Sequence, residues 1–560
     1  MTNKMFPRIP LALSATAMAI VLSQPQLAMA DERAELEQLR ASTMALVQAL
    51  VDSGLLSRER AEAILKQSQQ ARPSGATSPD AAKPAAPATA PGVVRVPYIS
   101  ETTKAELREQ IKAEVLEQAK TERWAQPNVL PEWFGRLTID GDVRFRFEQD
   151  SFDKGNYPAG YYQLAVASGA TPMWAPDLTN TTNDRTRTTL RARLGVTAKL
   201  ADNLASGIRI ASGALSNGAT STSQTLGAGL NRYNVGLDRA WIKWAPAEGL
   251  DFNAGRFANP FFGTDLTWPD DLNFDGVALG YQRPWGSSNK AFATAGVFPL
   301  QEFSTGGDAN KWLYGAQIGT QLRLTAQTDF KIGLAMYDFN GIEGVQESAY
   351  KSDAEAKAST YLSTQYPDTW RQKGNTLVNI NPVNDPIFPS GKAPVYGLAS
   401  KFKPFNLSMM LNFHQFDPIG VQLWFDYLKN TGWDLSDIRT RAGDSTIDLE
   451  GKTQAYQLRV NVGKQQIERA GDWQAFAALR RLERDAWVDA FTDTTWNLGG
   501  TNYTGWSLGG QYGVANRTSV GLRLTSTRNL KDASSSTSTV DLSSAPFKLD
   551  VWQLELNSRF

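Results

Sequence analysis

The stretch Leu137-Thr138-Ile139-Asp140-Gly141-Asp142-Val143-Arg144-Phe145-Arg146-Phe147-Glu148 decides the fold. Leu137, Ile139, Val143, Phe145 and Phe147 share one parity, while Thr138, Asp140, Asp142, Arg144, Arg146 and Glu148 share the other. Successive side chains of a strand point to opposite faces, so this segment has one apolar and one charged face. The pattern returns at 189–200, where Leu190, Ala192, Leu194, Val196, Ala198 and Leu200 alternate with Thr189, Arg191, Arg193, Thr197 and Lys199. It returns again at 456–462 and at 519–524. A strand that crosses a bilayer needs about 9–11 residues of this alternation.

Alternation alone also describes a soluble sandwich, so connection lengths must separate the two. Short connections fall at 201–203, 246–249, 284–289, 326–328, 417–420, 466–471 and 515–517. Long ones fall at about 149–186, 213–234, 259–273, 299–311, 339–394, 431–452, 485–503 and 530–545. The two kinds alternate strictly and separate sixteen strands, with 395–416 taken as one interrupted strand. Short turns at one end and long loops at the other are the asymmetry of an outer-membrane barrel. The expected fold is all-β, a transmembrane antiparallel barrel of about sixteen strands over 133–560. The closing strand agrees: Trp552, Leu554, Leu556, Ser558 and Phe560 fall on one face. A final Phe560 resembles the C-terminal signal of bacterial outer-membrane proteins that the barrel assembly machinery reads.

The N-terminus sets the compartment. Lys4 and Arg8 precede an apolar run from Leu11 to Leu22, followed by Ala28-Met29-Ala30, the pattern of a secretory signal peptide over 1–30. Export then leaves a chain starting at Asp31. Leu36, Leu39, Thr43, Leu46 and Leu50 repeat at alternating spacings of three and four, the rhythm of a coiled-coil seam, within a helical region over 31–70. Residues 71–98 carry six prolines among Ala, Ser and Gly, a semi-extended linker. A second helical segment is expected over 99–126. These helices are expected in the periplasm, packed on one another as a hairpin or joining copies of the chain, with a homotrimer and a peptidoglycan contact as possible partnerships.

Composition excludes other classes. Lys and Arg number 57, as do Asp and Glu, so net charge gives no reason to expect nucleic acid. Cysteine is absent and His414 is the single histidine. Thiolate chemistry and a histidine-rich zinc site are therefore excluded. His414 lies in the apolar stretch LNFHQF with no nucleophile motif beside it. No catalytic residue, cofactor or metal is expected.

Three further segments carry a family resemblance: Leu237-Asp238-Arg239-Ala240-Trp241-Ile242-Lys243-Trp244, Gly255-Arg256-Phe257-Ala258-Asn259-Pro260-Phe261 and Asp271-Leu272-Asn273-Phe274-Asp275-Gly276. With the helical N-terminal region, they resemble the "putative porin" family of proteobacterial outer membranes. The resemblance implies a barrel channel in a Gram-negative outer membrane, without naming a solute. The layout also resembles phosphate-selective porins, but no lysine-rich loop accompanies it, and phosphate selectivity is not carried over.

In such a barrel the polar parity lines the lumen. It places Arg144, Arg146, Arg191, Arg193, Lys199, Arg239, Lys243, Arg480 and Arg523 on the pore wall, with Arg209, Arg323, Lys331 and Arg459 on the same face. Asp140, Asp142, Glu148, Asp426 and Glu555 are fewer. The loop over 259–275 holds Asp265, Asp270, Asp271 and Asp275 without a base, among Phe261, Phe262, Trp268 and Phe274. Aromatics are costly on an exposed tip, so the loop is expected to fold inward as a constriction opposite the arginines. Asp271, Asn273, Asp275 and Gly276 match the start of a calcium loop, but Gln282 stands where a bidentate Glu is needed. The expected function is passive diffusion of small hydrophilic solutes and ions, leaning to anions. The alternative is a structural tether whose helices bind peptidoglycan, with little channel activity.

Overall fold

A computed structural model describes residues 134–159, 179–213, 219–303, 310–347, 364–380, 395–416, 418–530 and 546–560. The expected signal peptide, both helical segments and the linker lie outside the described residues, as do the peptidoglycan and oligomer contacts assigned to them.

Sixteen antiparallel strands close into one barrel. The first eight are β1 (Leu137–Phe152), β2 (Arg185–Ala201), β3 (Leu204–Ser212), β4 (Val235–Ala247), β5 (Leu250–Ala258), β6 (Asn273–Trp285), β7 (Asn289–Gln301) and β8 (Lys311–Thr325). The rest are β9 (Thr328–Asn340), β10 (Pro404–Phe413), β11 (Gly420–Asn430), β12 (Gln454–Gly463), β13 (Trp473–Leu482), β14 (Tyr503–Ala515), β15 (Thr518–Asn529) and β16 (Lys548–Arg559). Each pairs with its sequence neighbours, and β16 returns to β1 in the register Asp142↔Arg559 to Phe152↔Leu549. Seven short connections and eight long ones alternate as the sequence places them, except that the long one expected over 339–394 runs on to residue 403. A barrel of this size leaves a water-accessible lumen unless loops fill it.

One stretch differs from expectation. Residues 395–416 do not form one interrupted strand: Tyr396–Leu398 pairs with Leu377–Asn379 in a separate two-stranded sheet, and β10 begins at Pro404. Proline has no N–H to give a ladder, so it is tolerated at the first position of a strand. The count of sixteen survives because the earlier piece belongs to the loop.

The outer face is apolar, as the alternation requires. Val143, Phe145 and Phe147 on β1, Leu194 and Val196 on β2, Leu479 on β13 and Leu554 and Leu556 on β16 are all exposed. Trp244, Tyr281, Trp285, Trp473 and Tyr512 project near the short-turn end, and Tyr314, Tyr456, Trp506 and Trp552 near the long-loop end. These are the two aromatic girdles of a membrane barrel, with amphipathic rings at the lipid headgroups.

The barrel closes beside Phe560. The Gly141 N–H donates to the Phe560 carbonyl at 3.2 Å and the Phe560 N–H to the Gly141 carbonyl at 3.1 Å. The Phe560 ring lies over Gly141: a Cβ there would sit 2.5 Å from the ring Cζ and 2.6 Å from the Arg193 carbonyl oxygen. Gly141→Val must therefore shift either the ring or the β2 backbone, a conflict that costs about 1–3 kcal/mol in packed sites. The variant is expected to lose heat-modifiable gel migration at a lower temperature than the wild type. Identical transition temperatures would show that the seam does not depend on this contact.

A candidate constriction in the barrel lumen

The loop between β5 and β6, residues 259–272, folds into the lumen and crosses it. Polar contacts hold it at three places. Near its start, the Phe262 N–H donates to Gln317 Oε1 at 2.7 Å, and Gln317 Nε2 donates to the Phe262 carbonyl at 2.6 Å. Thr264 donates to Asp426 Oδ2 from its N–H at 2.9 Å and from its hydroxyl. At the far wall Asp265 accepts from Gln457 Nε2 at 2.8 Å and Trp496 Nε1 at 3.1 Å, and Arg480 Nη2 lies 2.9 Å from its Oδ2. Near its end Asp271 meets Arg191 Nη1 and Arg193 Nη1, each at 3.1 Å. Burial opposes ionisation of Asp265, but Arg480 and Arg459 outweigh it and hold the carboxyl well below the usual range. Asp271 is also held low: Arg191, Arg144 and Arg193 overcome the cost of its burial.

Apolar packing fixes the rest of the loop. Phe257, Phe274, Phe298, Tyr337 and Phe339 project inward from β5, β6, β7 and β9, and the loop covers them with Phe261, Leu266, Trp268 and Leu272. Phe261 meets Tyr337 edge-on at 5.2 Å, and Trp268 meets Phe274 and Trp487 at 4.8 Å each. Fully burying a side chain of this size stabilises by about 1.5–3 kcal/mol, against about 1–2 kcal/mol to order each backbone residue. The aromatic anchors can therefore hold their own segments, while the aspartates set where the loop points.

Trp487 comes from the loop after β13, which carries a second layer. Asn375 Nδ2 donates to the carbonyls of Arg484 at 2.7 Å and Trp487 at 2.8 Å. Thr376 donates to Asp485 from its N–H at 2.8 Å and its hydroxyl at 2.6 Å, and the Tyr366 hydroxyl donates to Asp489. Segment 364–380 is thus docked on 483–502 above the aromatic cluster.

The loop therefore packs on the β5–β9 side of the lumen, leaving a cavity of about 430 Å³ on that side toward the short turns, lined by Asn253, Gln282, Gln321 and Lys331. A polar cavity of about 480 Å³ lies on the other side of the loop. Six arginines line it, Arg144, Arg146, Arg191, Arg193, Arg459 and Arg523, with five carboxylates, Asp265, Asp270, Asp271, Asp493 and Glu555. Most of these charges are paired. Arg146 Nε donates to Glu555 at 2.6 Å, and Asp142 accepts from Arg191 Nε at 2.9 Å and Arg193 Nε at 2.6 Å. Arg144 instead donates to the Ser223 hydroxyl at 2.8 Å, Arg459 to Asn461 Oδ1 at 2.8 Å and Arg523 to the Thr495 hydroxyl at 2.8 Å.

The expected wall residues divide by place. Arg144, Arg146, Arg191, Arg193, Arg459 and Arg523 reach the cavity. Arg480 faces inward but is buried beneath the loop as the partner of Asp265. Arg239 donates to Asn273 at 2.7 Å, Lys243 pairs with Asp251 at 3.1 Å, and Lys199 is exposed near the short-turn end, away from the cavity. Asp265, Asp270 and Asp271 lie on the 259–272 loop. Asp275 does not: it is a β6 residue, bound by Arg256 at 2.8 Å, because the loop ends at 272. Asp271, Asn273 and Asp275 engage different arginines, so they do not converge as a calcium loop would require. His414 sits in the turn after β10, 3.1 Å from Asp329. The sequence singles out the aromatics Phe261, Trp268 and Phe274 within 259–275 but neither Asp493 nor the inward aromatics Phe298, Tyr337 and Phe339 they pack on. The one sequence signal for the latter is apolar character on both faces of β7 and β9.

Residues 40–560 match the family described as "Putative porin". No curated protein matches the chain. Among solved structures, Pseudomonas putida OprB at high pH is similar with 11% identity and a TM-score of 0.40, covering 77% of this chain and 96% of that one. A loop L8 deletion mutant of Vibrio cholerae OmpT is 10% identical with a TM-score of 0.36, covering 76% of this chain and all 100% of that one. A triple mutant of Rhodopseudomonas blastica porin is 8% identical with a TM-score of 0.35, covering 76% and 100%.

Two outcomes follow from the loop anchors. Arg480→Gln leaves the Asp265 carboxylate buried without its cation, a change that typically costs about 3–5 kcal/mol. Planar-bilayer recordings should then show a larger, fluctuating conductance, and a steady wild-type level would show that the loop is held without this pair. Burial pushes the Asp489 carboxyl up to about 6. A raised carboxyl stabilises docking fully below its unfolded value and loses that contribution as pH rises through about 6. Amide exchange in 483–502 should therefore speed up between about pH 4 and about pH 6, and less so in Asp489→Asn. Equal acceleration in both proteins would contradict this assignment.

Proposed function

The chain belongs to the putative porin family and is an outer-membrane porin channel, and from that premise we propose that it passes small hydrophilic solutes passively, with a preference for anions. Family and fold point to a channel rather than to an enzyme. The supporting observation is which charges at the constriction are free. Arg144, Arg459 and Arg523 line the cavity with no carboxylate partner within 4.0 Å among the described residues, while Asp265, Asp271 and Glu555 each have an arginine. Asp270 and Asp493 are the carboxylates left without one, so three unpaired guanidiniums face two unpaired carboxylates. The transverse arrangement of acids and arginines is thus largely self-neutralised, and the surplus is positive.

The size of the effect sets the expectation. A unit charge about 10 Å from a permeating ion, at an effective dielectric of about 40, contributes roughly 0.8 kcal/mol before screening. Three unpaired guanidiniums against two unpaired carboxylates leave about one net positive charge, which favours an anion several-fold. Arg191 and Arg193, although on the wall, contribute less because Asp142 and Asp271 face them.

In a potassium chloride gradient near 0.1 M, reversal potentials should show chloride preferred over potassium several-fold. The preference should fade near 1 M, where the Debye length falls to about 3 Å. Arg144→Gln should move the reversal potential toward cations, further than Arg191→Gln does. A cation-selective wild-type channel at about 0.1 M would contradict the anion preference.

A further inference from the structure

The cavity at the constriction continues toward the short-turn end into a second one of about 540 Å³, and Arg459, Phe476 and Arg523 line both. The two guanidiniums share one ring. The Arg459 guanidinium carbon lies 4.2 Å from the Phe476 centroid and that of Arg523 lies 5.0 Å from it. Phe476 can lie flat on the wall because its neighbour on β14 is Gly509, where a Cβ would stand 2.5 Å from the ring Cε1. Arg523 follows in the same cross-strand row, paired with Gly509.

Both arginines are oriented but not neutralised. One N–H of Arg459 is taken by Asn461 and one of Arg523 by Thr495. Thr495 is itself fixed: its N–H and hydroxyl donate to Asp493 at 2.8 and 2.7 Å. Among the described residues the remaining donors have no carboxylate partner. Both guanidiniums pack on one ring and line the same cavity, where an oxyanion can accept from their free N–H groups.

The neighbouring carboxylates narrow the class of ligand. Asp270 and Asp493, the two carboxylates without an arginine among the described residues, line the same cavity, so a second negative charge on the solute would be repelled. A hydroxyl or ammonium group on the solute would instead find an acceptor in Asp270, which has no arginine of its own among the described residues. We propose that Arg459 and Arg523, set on Phe476, form a binding site inside the lumen for the carboxylate of a small monocarboxylic acid bearing a donor group, a hydroxy acid or amino acid, with Asp270 receiving that donor. The site deepens the anion-leaning reading and rests on it for its role in permeation. Its binding can be measured without current.

The experiment is calorimetric titration of the full-length protein in detergent at low salt, with lactate, propionate and sulfate as probes. The same preparations are recorded in bilayers. Lactate should bind saturably, at least tenfold more tightly than sulfate and several-fold more tightly than propionate. Arg459→Gln and Arg523→Gln should each weaken lactate at least tenfold, and Asp270→Asn should erase the advantage over propionate. Heat-modifiable migration confirms the fold. Arg459→Lys and Arg523→Lys, which keep the charge but lose the fork, should fall between wild type and Gln. Lactate binding that is absent in the wild type, or unchanged in both Gln variants, overturns the site. A protein that binds lactate this way yet passes no current supports the site and overturns the channel reading alone. One that conducts without saturable lactate binding overturns the site alone.

Discussion

The lumen is organised by one buried contact, the Asp265 carboxylate against Arg480 and Gln457 on the wall opposite its own strands and Trp496 of the loop after β13. A carboxylate inside a barrel is expensive unless each oxygen is satisfied, and here one meets an amide while the other meets a cation and an indole. That requirement draws the 259–272 loop across the barrel. Once it crosses, Phe261 and Trp268 must lie against the inward aromatics of β6, β7 and β9, and Asp271 must arrive beside Arg191 and Arg193. The lumen facing away from this aromatic layer stays open to water, as does the β5–β9 wall beneath the loop toward the short turns.

Electrostatics and packing divide the work along the barrel's circumference. On the β5–β9 side the inner face is apolar where the loop packs, and polar toward the short turns, where Asn253, Gln282, Gln321 and Lys331 line a cavity. On the side of β1, β2, β12, β15 and β16 the inner face is charged, and water and loop carboxylates solvate it. Small residues shape this side further. Gly509 lets Phe476 lie flat, and Gly510 and Gly521 line the cavity beside it. Width and charge on this wall are therefore set by different residues, and each can be varied separately.

The same division explains what the sequence makes legible. At 137–148 and 189–200 one face must meet lipid and the other water, so apolar and charged residues alternate cleanly and strand count, turn positions and the inward arginines can be read directly. In β7, Val297 meets lipid while the adjacent Phe298 meets the loop, and in β9 Met336 and Tyr337 stand in the same relation. Both faces are then apolar, and parity no longer says which is which. Asp275 illustrates the loop's limit: it shares the acidic run but not the loop, because β6 begins at Asn273 and Arg256 pairs across the ladder. Asp493 and Trp487 reach the site only through a long loop whose path depends on docking against 364–380, and no local pattern encodes that.

The central claim is that the 259–272 loop is fixed across the lumen in the conducting state. The chain has no cysteine, so paired cysteines can be introduced without competing thiols. A Cβ on Gly263 would stand 3.4 Å from the hydroxyl of Ser408 on β10, close to the separation a disulfide requires. Single-channel recording of Gly263→Cys with Ser408→Cys, before and after oxidation, tests the claim directly. A crosslink that forms readily and leaves the reduced variant's conductance unchanged is the predicted result. Failure to crosslink, or a conductance that changes when the bond forms, would show that the open channel carries the loop elsewhere.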